Sequence, residues 1–181
     1  ELSVGASGKR AFLIDNLIEP GALVGIHDLF RALDYGFNDV DRGDTEFARH
    51  LVHYFDPDEF ETNPAVALLL GQARNVISEL GLDCAKVERI YANFNLFGDY
   101  QFAHPDGHVW TVLFFINSAW NPDWGGEFLL YEDGPQPIAL AIAPKPGRMV
   151  LFDGKTLHRG GSPSKYCLDA RITLAIKFCR P

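Results

Sequence analysis

The chain of 181 residues predicts an α+β fold, with helices backing an antiparallel sheet or sandwich. Apolar residues recur at helical spacing in two stretches between about residues 19 and 81. From about residue 87 to 180 the text changes to short runs of β-branched and aromatic residues, separated by Gly, Pro, Asn and Asp. Helices first and strands afterwards is the order of an α+β domain rather than of alternating βα units. With 47% hydrophobic residues over this length, one well-buried core and a single domain spanning 1–181 are expected.

Residues 11–18, AFLIDNLI, read as a short strand. In EPGALVGIHDLFRAL, Pro20 suits a helix start, and Leu23, Ile26, Leu29, Phe30 and Leu33 fall at helical spacing. From Asp34 to Asn63 the chain is rich in Asp and Gly with scattered aromatics, which predicts a long, partly helical excursion. Stretches of this length inside a domain are usually functional or disordered, and the aromatics favour a lid or substrate-contacting role. A second helix, PAVALLLGQARNVISEL, opens on Pro64 and stops at Gly81. The strand-like runs that follow are VERIYANFNLF, YQFAH, HVWTVLFFIN, GGEFLLYE, PIALAIAP, GRMVLFDG and ARITLAIKFC.

Charge and cysteine content exclude several classes. Lys and Arg number 16 against 24 Asp and Glu, a net charge of -8, so a nucleic-acid backbone is repelled and is not an expected partner. Cys84, Cys167 and Cys179, without a CxxC pair, make neither a disulfide framework nor a cysteine zinc site, which fits a reducing cytoplasm. No apolar run reaches the roughly 18 residues of a membrane span, and ELSVGASGKR has no apolar signal core, so no membrane partner is expected.

The chemistry concentrates in YQFAHPDGHVWTVLFFIN, residues 100–117. His104 and Asp106 are two apart, and in extended chain such residues project to one side. A third ligand must come from His27, His50, His53, His108 or His158. His158 is the natural candidate, because it follows the strand pattern GRMVLFDGKTL, while the first three lie in expected helix or loop. Gly107 suggests a turn that takes His108 out of phase, toward the rim, and His50 and His53, at i, i+3, have no companion ligand. Two imidazoles and one carboxylate form the facial triad of non-haem Fe(II) oxygenases. Zinc is the main competitor, but no HExxH motif is present. Arg171 opens an otherwise apolar strand, where a buried guanidinium needs an anion; the far carboxylate of 2-oxoglutarate is one such anion.

In this order and spacing, HPD, WNPDWGGEFLLY, PKPGRMVLFDGKTLHRG and RITLAIKF resemble the Fe(II)/2-oxoglutarate-dependent dioxygenases of the prolyl 4-hydroxylase-like superfamily, and FLIDNLIEPGALVGIHDLF resembles that family's opening strand and helix. The resemblance implies a double-stranded β-helix, or jelly roll of cupin-like shape. It implies iron on His104, Asp106 and His158, with Arg171 on the distal carboxylate of 2-oxoglutarate. Phe114 is expected where some relatives carry a tyrosine that contacts the cosubstrate, which leaves Tyr91 or Thr111 for that contact. Asp106 disfavours halogenation, because the family's halogenases replace that carboxylate. Hydroxylation of an unactivated aliphatic C–H bond, or a related oxidation, is implied, with O2 consumed, succinate and CO2 released and ascorbate a candidate accessory. A protein or peptide side chain, a free amino acid and a natural-product intermediate are the candidate substrates.

Other residues carry blander expectations. Trp120 and Trp124 pack beneath a turn or line the entrance, Gly125 and Gly126 serve backbone geometry, and Asp153 with Lys155 forms a turn pair before His158. Asn93 shares a face with Tyr91, and Arg159 offers an anion partner near the mouth. The rival readings are a cupin-like metal-dependent hydrolase or isomerase on the same three ligands, and a non-catalytic binding module.

Overall fold

The near-continuous apolar runs of the second half of the sequence arise because the sheet they build is covered on both faces. The structure, a computed structural model, describes residues 1–5, 8–82, 86–107, 109–132 and 137–179. A large sheet contains β1 (Leu2–Val4), β2 (Lys9–Ile14), β3 (Gly36–Asp39), β4 (His50–Phe55), β5 (Lys86–Asn95), β6 (Trp110–Phe115), β9 (Met149–Asp153) and β11 (Arg171–Cys179), in the order β1-β2-β9-β6-β11-β5-β4-β3. A small sheet is ordered β10 (His158–Gly160), β7 (Phe128–Tyr131), β8 (Ile138–Ile142). Neighbouring strands are antiparallel in both. This is the jelly-roll architecture that the sequence implied.

Alternation divides the central strands between two cores. Ile90, Ala92, Val112, Phe114, Ile172, Leu174 and Ile176 point outward to the helices, where Leu69, Leu70, Phe30 and Ile26 cover them. Tyr91, Leu113, Phe115, Val150, Phe152 and Ala175 point inward against Phe128, Leu130 and Ile142 of the small sheet. Every residue of β6 is buried, which explains why WTVLFF shows no polar alternation.

The covering helices are α1 (Pro20–Arg31) and α3 (Pro64–Glu79), with the single turn α2 (Glu59–Thr62) leading into α3. Asn63 caps α3 by accepting hydrogen bonds from the Ala65 and Val66 amides, and Pro64 sits where no intrahelical N–H is needed. At the other end Leu82 N–H donates to the Ile77 carbonyl and Gly81 N–H to that of Ser78, a Schellman closure that requires the positive φ of 63° at Gly81.

One expectation is corrected. Residues 34–63, expected as a partly helical excursion, hold the single turn α2 and a 3₁₀ turn at Gly43–Thr45 but chiefly supply β3 and β4, which extend the large sheet beyond β5. HLVHYF has the period-two alternation of a strand, which the surrounding Asp and Gly obscured. Conversely YQFAH forms no strand. His104 makes an isolated bridge with His158, each N–H donating to the other's carbonyl at 3.0 Å. No helix is long and apolar enough to cross a membrane among the described residues. Cys84 lies outside those residues, and Cys167 and Cys179 are free thiols.

Asp15, between β2 and α1, ties the covering layer to the turn before β9. It accepts from Arg148 Nε at 2.8 Å and Nη2 at 3.1 Å, and from Lys145 Nζ at 2.8 Å. The Arg148 hydrogen bond chiefly, against some opposing burial, lowers its pKa to about 2. A depressed carboxylate stabilises the fold fully above its unfolded pKa, and that contribution is lost as the pH falls through the folded value. Asp15→Asn is therefore expected to lower stability at pH 7 by on the order of 1 kcal/mol, after allowance for partial solvent screening. Denaturant melts of the two proteins should differ at pH 7 and converge toward pH 2.

Candidate active site

Between the sheets lies a cavity of about 240 Å³, and its walls bring together His104, Asp106, His158 and Arg171. His158 heads β10, and its bridge to His104 places the two imidazoles with ring centroids 4.7 Å apart. The Asp106 amide donates to the Gly154 carbonyl at 2.8 Å, fixing the HPD turn against the end of β9. One ligand atom from each of the three side chains lies within 4.8 Å of the others.

The imidazoles are oriented by the backbone. His104 Nδ1 lies 2.9 Å from the Phe102 carbonyl and His158 Nδ1 lies 2.8 Å from that of Thr156. An Nδ1–H donated to a carbonyl leaves Nε2 with its lone pair, the tautomer a metal requires. The two Nε2 atoms stand 3.7 Å and 3.5 Å from the Asp106 carboxylate. Burial lowers His158 to a pKa of about 4 against the pull of Asp106, so it is neutral at pH 7. Burial alone would raise Asp106, but His158, which is protonated in the acid range where Asp106 titrates, the charge of Lys177 and hydrogen bonds from Lys177 and Thr111 reverse this, holding it well below the usual carboxylate range. Two imidazoles whose Nε2 atoms converge with one carboxylate fit a divalent iron with positions left open.

Arg171 stands at the other end of the cavity, 2% exposed. Its Nε donates to the Gly126 carbonyl at 2.7 Å and its Nη1 to Asn95 Oδ1 at 3.2 Å, and its guanidinium lies 5.2 Å from the Phe115 ring centre. Burial lowers its pKa to about 10, with Glu127 opposing, so it stays charged at neutral pH. Its Nη2 is buried and has no hydrogen-bond partner among the described residues. An orphaned donor on a buried cation fits an anionic ligand such as the distal carboxylate of 2-oxoglutarate.

Phe115, not Phe114, is the β6 residue facing this ligand position; Phe114 belongs to the helix-side core, one residue out of phase. Tyr91 and Thr111 both line the cavity, but the Thr111 hydroxyl donates to Asp106 Oδ2 at 2.6 Å, and Asn95 shares Arg171. Asn93 lines the cavity too and donates to the Thr173 hydroxyl at 3.4 Å. Arg159 is committed elsewhere, donating to the Tyr131 hydroxyl at 2.8 Å and stacking on Tyr100. Trp120 and Trp124 form a T-shaped pair beside Gly126, with Trp120 Nε1 donating to the Gly125 carbonyl. The Asp153 carboxylate accepts from the Lys155 amide, a turn pair. His108 lies outside the described residues.

Sequence reasoning missed Asp41 and gave His50 and Lys177 no part in the site. Asp41, 5% exposed, has one oxygen 3.4 Å from His104 Nδ1 and the other 2.9 Å from His50 Nε2. His50 is thus a buried strand residue behind the site rather than a solvated or lid residue, while His53 faces the other way, to the Asp34 carbonyl. The DxD-like spacing of Asp39 and Asp41 was the available signal, but only the β3–β4 pairing brings it to His104. Lys177 is fully buried and donates to Asp106 Oδ2, lying on β11 opposite Thr111.

Residues 91–176 match the sequence model of the 2OG-Fe(II) oxygenase superfamily. No curated protein matches the sequence. The fold is similar to a prolyl-4-hydroxylase of Pseudomonas putida, with a TM-score of 0.71 and 15% identity over 94% of this chain and 92% of that one. It is also similar to a viral collagen prolyl hydroxylase of Paramecium Bursaria Chlorella virus-1 in complex with 2OG, at TM-score 0.69 and 18% identity over 98% and 99%. A prolyl hydroxylase of Trichoplax adhaerens, in complex with a hypoxia inducible factor peptide fragment, gives 0.70 and 17% over 93% and 83%. The sequence match covers the strands that carry Tyr91 to Ile176, and the jelly roll is of the prolyl hydroxylase-like kind. Fe(II), 2-oxoglutarate and O2 are the cofactor set of that family, and the His-Asp-His cluster suits it.

Gly126 controls Arg171. Its φ is 79°, and a Cβ there would stand 3.0 Å from Arg171 Cδ and 3.1 Å from Trp120 Cζ2. Gly126→Ala is expected to displace the guanidinium and weaken 2-oxoglutarate binding about tenfold, the loss of one charge-assisted hydrogen bond. Metal affinity should stay unchanged, and parallel calorimetric titrations with each ligand check both halves.

Proposed function

We propose that this oxygenase hydroxylates an unactivated aliphatic C–H bond, the substrate being a protein side chain, an amino acid or a natural-product intermediate. The observation that carries the reading is the pairing of two features in one cavity: converging Nε2 atoms beside the Asp106 carboxylate, and the buried Nη2 of Arg171, which has no hydrogen-bond partner among the described residues. His104, Asp106 and His158 would hold the ferrous ion, and Arg171 the distal carboxylate of 2-oxoglutarate. When bound, these groups supply oxidation of R–H by O2 to R–OH, coupled to conversion of 2-oxoglutarate into succinate and CO2.

The chain's own residues prepare that chemistry. Thr111 and Lys177 both bond Oδ2 of Asp106, so the carboxylate is held in one orientation. Phe128 and Phe152 pack on the His158 ring at 5.5 Å and 4.8 Å between centres, fixing the imidazole and excluding water from its face. Phe115 gives Arg171 an apolar floor, which strengthens its attraction for an anion.

Anaerobic reconstitution with Fe(II) and 2-oxoglutarate tests the assignment. A weak visible charge-transfer band from chelated cosubstrate is expected in wild type, absent in His158→Ala and weakened in Arg171→Met. On admission of O2, succinate should form in step with oxidised substrate. Tight metal binding with no band and no affinity for 2-oxoglutarate would overturn the reading in favour of metal-dependent hydrolysis.

A further inference from the structure

The cavity holds a second cation besides Arg171 that closes no ion pair among the described residues. Arg89, on β5, lines the end of the cavity near Asp106, opposite Lys177 on β11. Its guanidinium lies 4.9 Å from the Tyr91 ring centre and 5.8 Å from that of Tyr54, so two aromatic faces hold it in place. No hydrogen bond or ion pair to Arg89 occurs among the described residues, although it is partly buried. Arg42, Arg74, Arg148 and Arg159, by contrast, each meet a carboxylate or hydroxyl. Lys177, the other cation at this end, is occupied by Asp106.

Arg89 and Arg171 cannot serve one ligand group. Arg171 pairs across the ladder with Asn95, six positions along β5 from Arg89, a separation of about 20 Å at the usual strand rise. An anion on Arg171 therefore leaves Arg89 free, at the end where Lys177 holds the Asp106 carboxylate. Asp39, on β3, completes the arrangement. It lines the same end, its charge is felt by Arg89 without closing an ion pair, and the Tyr54 hydroxyl and Val40 amide fix its carboxylate. A stacked guanidinium and an anchored carboxylate at one rim are complementary to a molecule with a carboxylate and an ammonium close together. The cavity is smaller than the 300–1,000 Å³ or so usual for drug-sized ligands, and the cosubstrate must share it, which favours a small molecule.

We propose that Arg89 anchors the substrate's carboxylate and Asp39 its ammonium, so that the substrate of this oxygenase is a free α-amino acid. The inference rests on the oxygenase reading above and selects one of its substrate classes. Arg89 and Asp39 act as substrate-positioning groups, holding the side chain of the amino acid toward the metal ligands.

The test uses the protein loaded anaerobically with Fe(II) and 2-oxoglutarate, titrated calorimetrically with each proteinogenic L-amino acid, its carboxamide and its N-acetyl derivative. At least one free amino acid is expected to bind and to shift the visible band, with the carboxamide and the N-acetyl form at least about tenfold weaker. Arg89→Met should weaken that amino acid by a similar factor and keep the affinity for 2-oxoglutarate, while Arg89→Lys should recover part of the loss. Thermal melts of both variants separate a binding defect from misfolding, and Asp39→Asn, which keeps the Val40 contact, supplies an independent substitution. The proposal is overturned if no free amino acid binds, if carboxamides bind as well as free acids, or if Arg89→Met weakens 2-oxoglutarate instead. A wild-type protein that forms no band sinks the oxygenase reading itself, a result distinct from a band that no amino acid perturbs.

Discussion

A buried carboxylate sets the terms for the rest of this structure. Asp106 is 3% exposed between two sheets, where an uncompensated charge would cost several kcal/mol. The fold meets that cost with the Lys177 ammonium and the Thr111 hydroxyl, both on strands whose register is fixed by packing on their other faces. The same groups that make Asp106 tolerable hold it ionised and oriented, so the stability of the inner core and the readiness of the metal site have one physical cause.

The two-sided burial of β5, β6 and β11 makes this arrangement specific. A one-residue slip of β11 would send Arg171, Thr173 and Lys177 into the helix-side core and bring Ile172, Leu174 and Ile176 into the cavity. The helices thus do more than cover apolar surface: by burying the even-numbered residues of β11 they determine where its odd-numbered polar residues point. The cap on α3 and the Asp15–Arg148 link act on the cavity through this layer.

Charge is distributed along the cavity rather than pooled. Arg171 holds one end over Phe115, and Arg89 with Asp39 marks the other, where Lys177 holds Asp106. Arg171 and Arg89 each rest on aromatic rings and neither closes an ion pair among the described residues, an arrangement that suits bound anions better than internal ion pairs. A net charge of -8 over the whole chain conceals this local reversal of sign.

The sequence by itself determined the α+β class, both long helices and their stops, the inward runs of the sheet and the grouping of His104, Asp106, His158 and Arg171. Those features are local or in fixed order: helical spacing, a Pro and a Gly at helix ends, and a ligand pair two residues apart. Tertiary structure decided the rest. Residues 36–55 became sheet because β5 offered a free edge to pair with, a choice their own Asp- and Gly-rich composition did not announce. The phase of β6, which turned Phe115 rather than Phe114 inward, was set by burial on both faces, where an apolar run carries no alternation to read. Asp41, His50, Arg89 and Lys177 entered the site for the same reason. Each is an ordinary polar residue until strand pairing brings it within a few ångströms of groups tens of positions away, and only then does burial raise the cost of leaving it without a partner.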